Sequence, residues 1–382
     1  MAAIPKFDRE KLFAALAELA QHRLAPTEAE LTQAFLGAYF HRVPSDDLAR
    51  SNPEALFASA LSHLDLARQR PPGQPLLRAY NPTETQANGA NPYTVVEAVV
   101  DDMAFLVDSA SMVLNRLGYT IHLTIHPVLD VSRDNSGNLT GLNHPSIDAG
   151  HESFLCFQIS RESRAERLDT IVSELTRVLR EASAANTAGM ARGDLALSLA
   201  NDLDNAHMPG DDETRSEAAS LCRWIAQENF TFLGAVRYER SPNDDGLLSP
   251  KASSTLGILR PRDGLDLIER LSVLPESTAA DLKDTDPVMI TKSSKRSLVH
   301  RPAYMDVLFV RHWNISGQLT GETCLVGLFS AGAYNRSVVD IPGSRQKLQH
   351  VLTRSGLPEQ GHGIKVLHNL IERYPRDDLF QI

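Results

Sequence analysis

The 382-residue sequence holds only three cysteines, Cys156, Cys222 and Cys324. Their odd number and wide spacing exclude a disulfide framework and fit a reducing cytoplasm. No apolar run approaches the roughly 20 residues that a membrane-spanning helix needs. The opening Met1-Ala2-Ala3-Ile4-Pro5-Lys6 passes at once into a charged amphipathic segment, so no signal peptide is expected. Asn138-Leu139-Thr140 is then a chance match to a glycosylation triplet. Basic residues are outnumbered, 38 Lys and Arg against 48 Asp and Glu, for a net charge of -10. That argues against nucleic acid as a partner, because phosphate contacts need clustered cations.

Several motifs are also missing. No Gly-x-Gly-x-x-Gly follows a strand-like run, and there is no Gly-Lys-Ser/Thr loop, no His-Glu-x-x-His and no Cys-x-x-Cys. A dinucleotide cradle, a P-loop and a recognisable metal site are therefore not expected. Gly361-His362-Gly363 reads as a helix start rather than a phosphate cradle. His122 and His126 share one face if they lie on one strand, but no third ligand accompanies them, and a polar sheet face is the simpler reading.

What is present is an alternation of helical and extended patterns. Residues 8–70 read as three helices, opened by Asp8, by Pro26-Thr27-Glu28 and by Ser51-Asn52-Pro53-Glu54. Arg70-Pro71-Pro72-Gly73-Gln74-Pro75 reads as a linker. Thr94 to Val100 is a buried-type strand, and Asp101-Asp102 ends it and supplies acidic caps for the next helix. That helix carries Phe105, Leu106, Ser109, Met112, Val113, Leu114 and Leu117 at helical spacing, and Gly118 stops it. Tyr119 to Val131 returns as one long strand, Asn135-Ser136-Gly137-Asn138 turns, Ser153 to Ile159 is a third strand, and Glu166 to Arg180 is a second helix. The order βαββα is one strand short of a ferredoxin-like βαββαβ unit, a fold whose strand-to-helix turn can seat an effector.

A helical bridge follows to Asn229. Phe230 to Tyr238 begins a further sheet, or supplies the missing strand of the first. Asn243-Asp244-Asp245-Gly246 reads as a turn. Strands are expected at 256–259, 288–292, 297–300, 305–313 and 322–330, with a hairpin at Asn314-Ile315-Ser316-Gly317 and helices at 343–355 and 361–373. Tyr374-Pro375-Arg376-Asp377-Asp378-Leu379-Phe380 begins another helix, so the chain is expected to be a segment of a longer one. The fold class is α+β. The divisions are 1–75, an N-terminal helical region; 76–190, a ferredoxin-like module; 191–229, a helical bridge; and 230–382, a second antiparallel-sheet module.

Two groups are candidate sites. Asp101 and Asp102, with Met103, Ala104 and Phe105, could hold an amino-acid ammonium while helix N–H groups hold its carboxylate; the alternative is simple capping. Lys292, Lys295 and Arg296 in Thr291-Lys292-Ser293-Ser294-Lys295-Arg296, and His300 and Arg301 beyond, could take an anion or an acidic face of another subunit; the alternative is a solvated turn. His300-Arg301-Pro302-Ala303-Tyr304-Met305-Asp306 and Ala333-Tyr334-Asn335-Arg336-Ser337 put further polar groups at strand ends.

Five blocks, taken in order, resemble the N-terminal segment of the large bacterial NAD-dependent, NAD-specific glutamate dehydrogenases. They are Val43-Pro44-Ser45-Asp46-Asp47-Leu48, Val95 to Val107, Phe230-Thr231-Phe232-Leu233-Gly234, His300 to Asp306, and Tyr374 to Phe380. The resemblance covers nearly the whole chain. It implies a homo-oligomeric enzyme that converts glutamate and NAD to 2-oxoglutarate, ammonium and NADH. It also implies a catalytic domain C-terminal to this region, so NAD and catalytic residues are expected elsewhere and none is assigned here. ACT-like and PAS-like modules with helical spacers are implied for the segment itself, and an amino-acid effector is the partner such modules suggest. ACT modules that bind amino acids usually carry Asp-x-x-Gly-x-Leu at the first turn. Here Asp101-Asp102-Met103-Ala104-Phe105-Leu106 has alanine for glycine, which makes close backbone approach of an effector less easy.

Overall fold

The computed structural model describes residues 7–83, 92–142, 150–187, 189–240, 248–262, 265–274, 286–358 and 360–380. The turn expected at 243–246 lies outside them. The chain divides into two compact units, 1–182 and 183–382. Both combine helices with an antiparallel sheet, so the fold class is α+β.

The first unit opens with α1 (Arg9–Arg23), α2 (Pro26–Tyr39), α3 (Ser45–Leu48) and α4 (Pro53–Ala67). Their starts follow the sequence signals. Asp8 accepts a hydrogen bond from the Lys11 N–H, Pro26 occupies the first turn of α2, and Asn52 accepts from the Ala55 N–H. The strands are β1 (Leu76–Tyr80), β2 (Tyr93–Asp101), β3 (Ile121–Ile125), β4 (Val128–Arg133), β5 (Leu139–Leu142) and β6 (Gly150–Ser160). Between β2 and β3 runs α5 (Leu106–Arg116), and after β6 runs α6 (Ala165–Thr187).

The sheet order is β1-β2-β6-β4-β5, with β3 also on β6. The single long strand expected from Tyr119 to Val131 is instead two. β3 pairs with the far half of β6 and β4 with its near half, and the break falls at His126-Pro127. Proline has no N–H to give to a ladder, yet its carbonyl still accepts from the Phe154 N–H, so the two pieces stay in line. The strand missing from the βαββα reading comes from upstream. β1 lies antiparallel on the outer edge of β2, Leu76 opposite Val99, where the last strand of the unit would sit. The run from Phe230, weighed above for that place, belongs to the second sheet.

Alternation along β2 and β6 gives the sheet two buried faces. Val95, Val99, Phe154 and Cys156 form one core with Leu16, Phe35, Leu36, Tyr39, Phe57 and Leu64 of the N-terminal helices. Val96, Ala98, Val100, Leu155, Phe157 and Ile159 are buried on the other face, as are Leu106, Val113 and Leu114 of α5 and Ile171, Leu175 and Val178 of α6. The helices of 9–67 thus share a core with the sheet.

His63 sits within that core, fully buried. Its Nε2–H donates to the Ala98 carbonyl at 3.2 Å, and its Nδ1 accepts from the Tyr39 hydroxyl at 3.0 Å, which satisfies the neutral ring. Burial drives its pKa down to about 3. The unfolded chain binds this proton below about pH 6.5 and the folded chain does not, so between these values stability falls as pH falls, by about 1.4 kcal/mol per unit. Urea midpoints at pH 7, 6 and 5 should decline along this slope, and His63→Gln should flatten it.

The second unit contains α7 (Gly189–Asp204), α8 (Asp212–Trp224), β7 (Phe230–Arg240), β8 (Leu248–Pro250), β9 (Leu256–Gly257), α9 (Leu267–Leu271), β10 (Val288–Arg296), β11 (Tyr304–Trp313) and β12 (Leu319–Phe329). It continues with α10 (Ala331–Tyr334), α11 (Ser344–Arg354), α12 (His362–Glu372) and α13 (Arg376–Phe380). The sheet order is β10-β11-β12-β7-β8, with β9 on β7. The hairpin at Asn314–Gly317 forms, with the Asn314 side chain accepting from the Ser316 and Gln318 N–H groups. The strand expected at Ser297–His300 does not form. The Ser297 hydroxyl takes the Val299 N–H and donates to the Val299 carbonyl, and His300 turns left-handed at φ 71°. Helices α7 and α8, expected as a bridge, share a core with this sheet through Leu199, Leu203, Leu221, Trp224, Leu308, Leu325 and Phe329.

Candidate functional site

The turn from β2 into α5 is built differently from its sequence reading. Neither aspartate caps α5, whose first residue is Leu106 and whose cap position is Phe105, at φ 71° and ψ 9° with no side-chain cap bond. A bulky residue in the left-handed region stores about 1–3 kcal/mol of strain. Asp101 is the last residue of β2 and pairs with Arg70. Asp102 accepts from the Ser153 hydroxyl at 2.6 Å, and its N–H donates to the His151 carbonyl. Met103 is half-buried and Ala104 exposed. Both carboxylates are therefore engaged by their own chain.

Arg70, read from sequence as part of a linker, is the hub of this corner. Its side chain is 4% exposed and donates to Glu152 Oε1 from Nη2 at 2.8 Å, and to the Gln74 carbonyl at 3.1 Å. Arg133 donates to both Glu152 oxygens, at 2.6 and 2.8 Å, and to the carbonyls of Ala67 and Gly137. Burial raises the Glu152 pKa, but the two guanidiniums win and hold it below the ordinary glutamate value. Sequence reasoning missed Arg70, Arg133 and Glu152; the available signal was two charges, Arg133 and Glu152, inside strand patterns. Gly137, at φ 82°, lets the β4–β5 turn lie on the Arg70 backbone, and a Cβ there would stand 2.3 Å from the Arg70 carbonyl oxygen. Gly137→Ala should destabilise this unit by about 2 kcal/mol or more, read as a drop in thermal midpoint.

His122 and His126 do not act together. A bulge at His122 shifts the β3 register, and its ring lies 4.8 Å from that of Tyr93, whereas His126 follows the strand and bonds Ser153.

The second cluster lies at the end of the second sheet. Thr291–Arg296, weighed as an anion or subunit contact against a solvated turn, is the irregular end of β10. Lys292 Nζ lies 2.6 Å from Asp306 Oδ1 and 2.7 Å from Asp377 Oδ1. The Tyr334 hydroxyl donates to the same Asp377 oxygen at 2.7 Å, and Asp306 Oδ2 accepts from the Phe329 N–H at 3.0 Å. Arg301 donates to the Phe329 carbonyl at 2.5 Å and lies over the Tyr334 ring. Burial pushes the Asp306 carboxyl up; burial also opposes the Lys292 charge, but its two carboxylates outweigh that and hold it charged. The polar stretches at 300–306 and 333–337 thus meet in one network, closed by Asp377 of α13. Lys295, bonded to Ser272, and Arg296, stacked on Tyr304, stand outside it, and His300 contributes the left-handed turn. Phe380 packs its ring 4.2 Å from Phe329 and near Trp224 and Tyr334. Lys347, whose pKa burial lowers to about 8, donates to the Leu379 carbonyl.

The turns from β2 into α5 and from β12 into α10 do not fit a dinucleotide: Asp101–Phe105 contains no glycine, and Phe329 leads into a helix of four residues. Among the described residues no three His, Cys, Asp or Glu side chains are placed to hold a metal ion, and no helix is long and apolar enough to cross a membrane.

Residues 35–175 match the family model described as glutamate dehydrogenase, ACT1 domain, and residues 341–382 match glutamate dehydrogenase, helical motif 1. The chain belongs to the glutamate dehydrogenase family. It is 32% identical over 382 residues to the NAD-specific glutamate dehydrogenase of Halomonas elongata, an alignment covering 98% of this chain and 24% of that protein. It is 31% identical over 368 residues to the Pseudomonas aeruginosa enzyme of the same name, with 95% and 22% covered. For the Mycobacterium tuberculosis enzyme the identity is 24% over 367 residues, with 92% and 21% covered. The chain thus spans about a quarter of the length of these relatives. The ACT1 domain begins within α2, consistent with helices and sheet sharing one core. Helical motif 1 takes in α11, α12 and α13, including Asp377 and Phe380.

Proposed function

We propose that this chain is the regulatory and assembly segment of a large, cytoplasmic, homo-oligomeric NAD-dependent glutamate dehydrogenase. The full enzyme would convert L-glutamate, NAD and water to 2-oxoglutarate, ammonium and NADH in amino-acid catabolism, with the catalytic domain and the NAD site outside this segment. The observation that carries the reading is the alignment of nearly the whole chain with one quarter of each relative. The second unit, 183–382, would be the PAS-like or second ACT-like module.

Within this reading, Asp101 to Phe105 either seat an allosteric amino-acid effector or form a structural joint. The pairing of Asp101 with Arg70 and of Asp102 with Ser153 favours the joint. Helical motif 1 supports an assembly role: Val366, Leu370 and Tyr374 form an exposed apolar stripe at four-residue spacing, 42%, 60% and 53% exposed. Thermal unfolding of the chain against amino acids, 2-oxoglutarate and nucleotides, beside light scattering over a concentration series, separates the two. Self-association with no ligand shift supports assembly alone. A midpoint rise for one amino acid, lost in Asp101→Ala, establishes sensing at the turn.

A further inference from the structure

Where α2 ends, the chain turns through Phe40-His41-Arg42-Val43 beside the break between β3 and β4. A cavity of about 400 Å³ opens there, and His41, Arg42 and His126 are among its lining residues. Arg9 builds this turn. Its guanidinium donates to the carbonyls of Phe40, His41 (2.6 Å) and Val43 (2.9 Å), the groups that a helix end leaves open. With Arg9 in that role, Arg42 and His41 keep their side chains free: neither makes a side-chain hydrogen bond or ion pair with the described residues. No Asp or Glu lines the cavity, in a chain whose net charge is -10.

The state of His126 follows from its neighbours. The carboxylate of Asp102 takes the Ser153 hydroxyl proton at 2.6 Å. Ser153 Oγ lies 2.9 Å from His126 Nε2, so it must accept the Nε2–H, and Nδ1 is the ring nitrogen left without a protein partner. The cavity therefore offers a free guanidinium, a free imidazole and an imidazole whose orientation is fixed through Ser153. The rest of the wall is largely apolar, from Ile125, Pro127 and Leu129 among others.

We propose that this cavity binds a compact organic dianion, a short-chain dicarboxylate, with Arg42 as its main donor, His126 donating from Nδ1 once the bound anion draws a second proton onto the ring, and the apolar wall against its carbon chain. Fork-shaped Arg binds a carboxylate through two parallel hydrogen bonds. An apolar wall favours a carbon-bearing anion over an inorganic one. The inference concerns this cavity alone and does not depend on which enzyme the segment serves.

The test is titration of the full chain with succinate, inorganic phosphate and uncharged succinamide. It is followed by calorimetry and by the His126 ring signals in NMR, assigned with His126→Gln. Saturable binding of succinate with movement of the His126 signals is expected, with phosphate about tenfold weaker and succinamide silent. Arg42→Gln should weaken succinate about tenfold or more, and since Arg42 is exposed and unpaired its thermal midpoint should match that of the parent. Phosphate binding as tightly as succinate would overturn the dicarboxylate assignment. Absence of binding, or binding unchanged in Arg42→Gln, would overturn the site.

Discussion

Glu152→Gln should lower the stability of the first unit by about 3–5 kcal/mol, the range for removing one partner of a buried ion pair. The side chains of Glu152 and Arg70 are each 4% exposed and that of Arg133 is 11% exposed. Glutamine keeps the shape but has one acceptor oxygen, and it turns an amide NH2 toward guanidinium N–H groups that can only donate. Arg70 would retain Asp101, which is half exposed, and Arg133 would be left with the carbonyls of Ala67 and Gly137. Urea unfolding followed by far-UV circular dichroism reads the loss. Replacing Arg70, Arg133 and Glu152 together by apolar residues should restore much of it, because the desolvation of all three charges is removed at once. The pH dependence has a definite sign. The folded pKa of Glu152 lies below its unfolded value, so its contribution is present above about pH 4.5 and is lost as pH falls through the folded value. In Glu152→Gln that part of the acid sensitivity disappears. A loss below about 1 kcal/mol would mean that water already reaches the arginines.

Local signals in the sequence fared better than long-range ones, for a physical reason. Caps, proline-first helices, the Asn314–Gly317 hairpin and the apolar stripes are short-range properties, and they placed most elements within a few residues. Pairing between distant strands leaves no comparable local trace. Hence β1 filling the edge of the first sheet, and Phe230–Arg240 joining the second, needed the structure. Pro127, inside the stretch read as one strand from Tyr119 to Val131, lacks the N–H of a ladder and is the local sign of the break. The sites divide in the same way. Lys292 and Arg301 lay in the group weighed as an anion or subunit contact, Asp306 and Tyr334 in polar stretches at strand ends, and the four converge. Asp377 and Phe380, which close that network, are carried in by a helix 85 residues beyond Lys292. Arg70 was hidden by its surroundings, since three prolines in Arg70–Pro75 read as a solvated linker while the guanidinium turns inward.

Phe380→Ala should release α13 from the second unit. This helix has five residues, too few to be helical by itself in water, so its place depends on its anchors. Its polar contacts include Asp377 to Lys292, Asp377 to Tyr334, Arg376 to the Arg336 carbonyl, and the Leu379 carbonyl to Lys347. Each is worth about 0.5–1.5 kcal/mol net, somewhat more where a charge takes part. Phe380 is 2% exposed and stacked on Phe329, and truncating a buried Phe costs about 3–5 kcal/mol. That is comparable with all the polar contacts together, so the helix should leave rather than span a cavity. Trp224, beside Phe380, reports this through a red-shifted emission, and limited trypsin digestion should open at Arg373 and Arg376. The global unfolding midpoint should move less than the full truncation cost, because once α13 is free its contacts no longer oppose unfolding of the rest. Asp377→Asn keeps a partner for Tyr334 but removes the charge opposite Lys292, and should weaken docking by about 1–3 kcal/mol without full release. Lys292 keeps Asp306 in both variants, so the end of β10 and β11 should hold. Unchanged Trp224 emission together with a midpoint drop matching the full truncation cost would show instead that α13 stays seated around an empty space.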